Sequence, residues 1–97
     1  MKPMKQEKIV AVAADMLAKE GARRVILFGS YARGTQRKGS DLDLLVEFRR
    51  TKSLFEMVRI EDRLREALGV DVDLVTKASL SPYISRQVLK EGRVIYS

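Results

Sequence analysis

Cysteine, histidine and tryptophan are all missing from the 97 residues. Without cysteine there is no disulfide, no thiolate zinc site and no sulfur nucleophile. Without histidine there is no Ser-His-Asp triad and no imidazole ligand for a metal. Any catalysis has to rest on carboxylates, hydroxyls and cations. Long apolar runs are missing too: nothing approaches the roughly 20 residues that span a bilayer. The opening Met1-Lys2-Pro3-Met4-Lys5-Gln6 has no apolar segment of the kind a signal peptide carries. The expected location is the cytoplasm, with no membrane partner. No linker, repeat or low-complexity stretch divides the chain, so 1–97 is read as a single domain with one core.

What is present is ordinary for a soluble globular protein, with 45% apolar and 33% charged residues. Nineteen Lys and Arg against thirteen Asp and Glu leave a net charge of +6, which favours anionic partners such as nucleotides, nucleic acid or an acidic protein. No run of five like charges and no recognised DNA- or RNA-binding motif occurs, so direct nucleic-acid binding has no motif behind it.

Periodicity lays out the elements. Ile9, Val12, Ala13, Met16 and Leu17 form a stripe at helical spacing within Met4 to Glu20, and Gly21 is placed as the stop. Val25 to Phe28 is a short strand run, with Arg23 and Arg24 at its solvated end. Ser53-x-x-Glu56 is a capping box that opens a helix to about Leu68, with Leu54, Met57, Leu64 and Leu68 among its buried positions and Gly69 as its end. Val70 to Val75 alternates Asp71 and Asp73 with apolar residues and reads as a strand. Ser81-Pro82 opens a last helix to Glu91, with Ile84, Val88 and Leu89 inward and Gly92 as its stop; Arg93 to Tyr96 can add an edge strand. The fold class is α/β (α+β): a small mixed sheet of three to four strands covered by helices, with the first two strands antiparallel neighbours.

Chemistry concentrates between Val25 and Val46. Gly29 gives the first strand a sharp exit, and Ser30 adds a hydroxyl and free amides that suit an anion such as phosphate. Asp41 and Asp43, at i and i+2 on the next strand, project from one face and repel each other. A divalent cation relieves that repulsion, and oxygen ligands alone favour magnesium over zinc. Gly29 to Gly34 has P-loop spacing, but Thr35 and Gln36 stand where lysine and a hydroxyl residue are required; Gly34 to Gly39 fails in the same way, and no GxGxxG is present.

Gly29-Ser30, ten residues, then Asp41-Leu42-Asp43 resembles the GSx10DxD signature of the DNA polymerase β-like nucleotidyltransferases. The Gly-Ser-Tyr-Ala-Arg-Gly wording is similar to their smallest branch, the minimal nucleotidyltransferases. The resemblance implies the nucleotidyltransferase fold and transfer of AMP from ATP, with Mg2+ in two ions as cofactor, to a hydroxyl acceptor. In that branch the acceptor is a tyrosine of a HEPN-domain toxin, for which this chain would be the antitoxin. It implies Asp41, Asp43 and a third aspartate as catalytic and metal-holding residues; Asp-Leu-Val wording points to Asp73, with Asp71 as the rival. Gly29 and Ser30 would hold the triphosphate. Arg33 belongs to the matched motif and either touches phosphate or braces the loop; Arg37 and Lys38, which have no motif support, are read as electrostatic helpers. The alternative is an antitoxin that neutralises its toxin by binding alone. The resemblance requires Asp41, Asp43 and Asp73 to converge opposite the Gly29-Ser30 turn.

Overall fold

The stripe of Ile9, Ala13 and Leu17 is buried along α1, Gln6–Lys19, with Val12 and Met16 at its margin. The computed structural model describes residues 5–97, and the expected helix start at Met4 lies outside them. Gly21 turns the chain at φ 91°, a backbone that glycine adopts freely, into β1, Ala22–Phe28. This strand starts earlier than the apolar run suggests and takes in Arg23 and Arg24. Both side chains stay exposed, the register slips between Ala22 and Arg24, and Arg24 pairs with Glu47 at 3.3 Å.

One helical turn, α2, Ser30–Arg33, separates β1 from β2, Leu42–Phe48. The expected capping box is formed at the head of α3, Leu54–Leu68: the Ser53 hydroxyl accepts from the Glu56 amide at 3.1 Å, and the Ser53 amide donates to Glu56 Oε1 at 3.0 Å. Then come β3, Val72–Val75, a 3-10 turn at Lys77–Ser79, α4, Pro82–Glu91, and β4, Arg93–Tyr96. The sheet order is β3-β2-β1-β4, with β1 antiparallel to both β2 and β4 and β2 parallel to β3. The parallel pair needs a crossover, which α3 supplies. Among the described residues no helix is long and apolar enough to cross a membrane.

Strand alternation assigns the two faces. Val25, Leu27, Leu42, Leu44, Val46, Val72 and Leu74 pack with α1 and α3 in the main core. On the other face Phe28, Leu45 and Val75 pack against Ile26, Leu80, Ile84 and Val88, so α4 covers this side. Asp43 and Asp73, in phase with Leu45 and Val75, belong to the α4 face. The outer edge of β3 is blunted by α3: the Leu74 amide donates to Glu61 Oε2 at 3.0 Å, and the Val72 carbonyl accepts from Arg65 at 3.3 Å.

Two expected core residues are not buried. Leu54 is 79% exposed, because it opens α3 ahead of the packed stripe Met57, Ile60, Leu64 and Leu68. Leu89 is 85% exposed, because Ile84 and Val88 already fill the face one turn apart and the next residue is rotated away from it. Ser53→Ala, which removes one half of the capping box, is expected to lower the thermal midpoint by about 4–8 °C. An unchanged melt would mean that the cap contributes nothing to α3.

Candidate functional site

The site is built where β1 ends. Gly29 sits at φ 76° and ψ −157°, a conformation essentially closed to residues with a Cβ. It is also hemmed in: a Cβ added there would collide with Asp43 Oδ2 and lie 3.0 Å from Asp43 Cγ. The register explains this, since Asp43 is the cross-strand partner of Phe28. The Asp43 carboxylate therefore lies against the bare Cα of Gly29. From Gly29 the chain enters α2, where the Ala32 and Arg33 amides both donate to the Gly29 carbonyl at 3.1 Å. The first turn of a helix offers no carbonyl to the Ser30 and Tyr31 amides. Gly34, left-handed at φ 74°, ends the turn.

Asp73 is the register partner of Asp43 on the parallel neighbour β3. Residues so paired have backbones about 4.8 Å apart and side chains on one face. Asp41 precedes β2 instead of lying within it, and it is exposed. It is set down by the turn Arg37–Ser40, in which the Ser40 amide donates to the Arg37 carbonyl at 2.9 Å and the Arg37 amide to the Ser40 hydroxyl at 2.8 Å. Arg37 and Lys38 are both exposed on this turn. Asp71, the rival third carboxylate, also lies outside β3. Its side chain is 3.8 Å from Arg65 on α3, and its carbonyl accepts from the Leu42 amide at 2.8 Å. Among the described residues no three of Asp, Glu, His or Cys are drawn together tightly enough to hold a metal ion. The three-carboxylate convergence that the resemblance requires is therefore not formed: Asp43 and Asp73 are register partners, and Asp41 stands one residue ahead of β2.

Electrostatics mark Asp43 as the centre. Its carboxyl is pushed up to about 6, first by burial, then by the charges of Asp73 and Asp41, with Arg33 opposing and Glu91 adding to the rise. A half-buried carboxylate ringed by like charges is where a hard cation would be welcome. The oxygen-only donor set of Asp43, Asp73 and Asp41 fits magnesium in its chemistry.

One residue that the sequence did not single out stands at the same turn. Glu91, the last residue of α4, accepts the Gly29 amide on Oε1 at 3.0 Å and receives Arg33 Nη1 on Oε1 and Oε2 at 2.9 and 3.0 Å. Of the two roles open to Arg33, bracing the loop is the one seen, and Glu91 is what it braces against. The sequence held one clue, since a carboxylate in the last turn of a helix runs against the helix dipole.

The nucleotidyltransferase domain model matches residues 9–95. A protein adenylyltransferase MntA of Thermococcus cleftensis is 39% identical over 88 residues, 91% of this chain and 87% of its own. Among solved structures, a chain of a toxin–antitoxin crystal structure with AMP-PNP has a TM-score of 0.79 at 30% identity, covering 97% of this chain and 74% of that one. A chain from the complex of tri-AMPylated Shewanella oneidensis HEPN toxin with MNT antitoxin has a TM-score of 0.77 at 25% identity, covering 96% and 73%.

Proposed function

The chain belongs to the nucleotidyltransferase domain family, and from that premise we propose that it transfers AMP from ATP to a tyrosine hydroxyl of a HEPN-domain toxin, with Mg2+, as that toxin's antitoxin. The relatives support this reading, being named protein adenylyltransferases or occurring in complexes of toxin with antitoxin. The observation that carries it is the register of Asp43 beside Asp73, with Asp43 against Gly29.

In the proposed reaction the acceptor oxygen attacks the α-phosphorus of ATP in line, and the bond to pyrophosphate breaks. Asp41, Asp43 and Asp73 would draw together to hold Mg2+, which would neutralise phosphate charge and lower the cost of losing the tyrosine proton to solvent to form the attacking phenolate. Gly29 gives the sharp exit that presents Ser30, whose amide and hydroxyl would meet the triphosphate, and the Arg33 guanidinium is within the same turn to join them.

The test is to co-express the chain with its cognate HEPN-domain protein and weigh that protein. Wild type is expected to add one or more AMP units, and Asp73→Asn to add none. A tight complex with unmodified toxin in both cases would replace transfer with neutralisation by binding alone.

A further inference from the structure

The Glu91 carboxylate holds donors that a phosphate would use. An N–H of the Gly29 turn and two contacts from Arg33 are the kind of set that binds a phosphate oxygen pair, and here one carboxylate takes all of them. The fold brings it there across a separation of 62 residues. β4 pairs with β1 at Ile26↔Val94 and Leu27↔Arg93, and continuing that antiparallel register sets Glu91 opposite Gly29. Gly92 fixes the join: a Cβ there would stand 2.5 Å from the Val88 carbonyl and 2.9 Å from Ile26 Cγ2, so only glycine lets α4 run this closely onto β1.

A glutamine would still accept the Gly29 amide and one Arg33 N–H on its single carbonyl oxygen, so the neutral side chain keeps the brace but holds Arg33 less tightly than the carboxylate, which accepts on both oxygens. The charge is set at the unfavourable end of α4 and adds to the repulsion felt by Asp43. Its partner is reachable from solvent, since the Arg33 side chain is 45% exposed while that of Glu91 is 16% exposed. An incoming phosphate can therefore engage the free side of the guanidinium before the carboxylate lets go.

Resting on the nucleotide reading above, we infer that Glu91 is a built-in competitor of the nucleotide's phosphates: it occupies Gly29 N–H and Arg33 until a magnesium-bound polyphosphate displaces it. Glu91 is thus a positioning residue that lowers affinity, because only the fraction of molecules with the donors released binds ligand. Polyphosphates, with several anionic groups, displace it where a single weak anion does not.

The experiment is calorimetric titration of the free protein with Mg–ATP and with Mg–tripolyphosphate, which lacks base and ribose. Glu91→Gln is expected to tighten both about tenfold. Glu91→Asp, which keeps the charge but shortens its reach, should give a smaller gain and serves also if the glutamine variant does not fold. Unchanged or weaker binding in the variants, with wild type binding normally, would make Glu91 a structural brace and overturn the competitor role while leaving the nucleotide reading intact. Absence of binding in wild type and variants alike would overturn both.

Discussion

Replacing Asp43 by asparagine is expected to give a protein that melts higher than wild type above pH 7 and transfers no measurable nucleotide. The stability half follows from linkage. The carboxyl titrates near 3.8 in the unfolded chain and at about 6 in the folded one, so folding favours its protonated form. The resulting stabilisation is complete below the unfolded value, declines as pH rises from about 4 to 6, and is gone above it. A shift of that size corresponds to about 3 kcal/mol if the group were fully buried. Its partial exposure to solvent reduces this to about 1 kcal/mol, or some 4–8 °C for a domain of this length. The difference in midpoint between variant and wild type should therefore be small at pH 4 and grow toward pH 7. A variant less stable than wild type at pH 7.5, or a difference independent of pH, would remove Asp43 from the centre of the repelling group. Added Mg2+ should narrow the gap by stabilising wild type alone. The activity half is larger: several kcal/mol of charge stabilisation in the transition state is about 10³-fold in rate.

That trade, stability given up for charge at one point, also shows what could be seen in the residues beforehand. Local chemistry was legible where it is closed within a few residues. Ser53 and Glu56 cap each other, Gly21 and Gly69 stop their helices in left-handed backbone, and the Ser81 hydroxyl accepts the Ile84 amide behind Pro82. The alternation of Leu42-Asp43-Leu44 and Val72-Asp73-Leu74 fixed which side each aspartate faces on its own strand. It did not fix that β2 and β3 are parallel neighbours at zero offset, which is a property of the α3 crossover; the family resemblance stood in for it.

What remained hidden depends on where surfaces end and on long-range register. The helical period locates Leu54 and Leu89 near apolar stripes but says nothing of how far the sheet beneath extends. Asp71 and Asp73 are equivalent by alternation. They separate because β3 begins only at Val72, and Asp71, left outside the ladder, turns to Arg65. Glu91 is the clearest case, since its partners Gly29 and Arg33 become neighbours only after β4 adds to β1.

Gly29→Ala is expected to be the most destabilising single-methyl change in the site, and the loss should divide into two measurable parts. One part is backbone: φ 76° with ψ −157° costs a residue bearing a Cβ about 1–3 kcal/mol. The other is steric, because the new methyl meets the Asp43 carboxylate, and forcing a group into an occupied space costs about 1–3 kcal/mol more. Together they take a large share of the roughly 5–15 kcal/mol that holds a small domain folded, and the midpoint should fall by at least about 10 °C. Gly34→Ala provides the comparison: at φ 74° and ψ 20° it is left-handed helical with open space around its Cα, so it meets no steric part and a milder backbone one. In an Asp43→Ala background the obstructing carboxylate is gone, and Gly29→Ala should then cost mainly its backbone part, about 1–3 kcal/mol. The two sites are in contact, so this non-additivity is the signature to look for. If the penalty of Gly29→Ala is the same with and without Asp43, the carboxylate does not lie on the Gly29 turn. The arrangement that joins the Gly29 turn to β2 would then be lost with it.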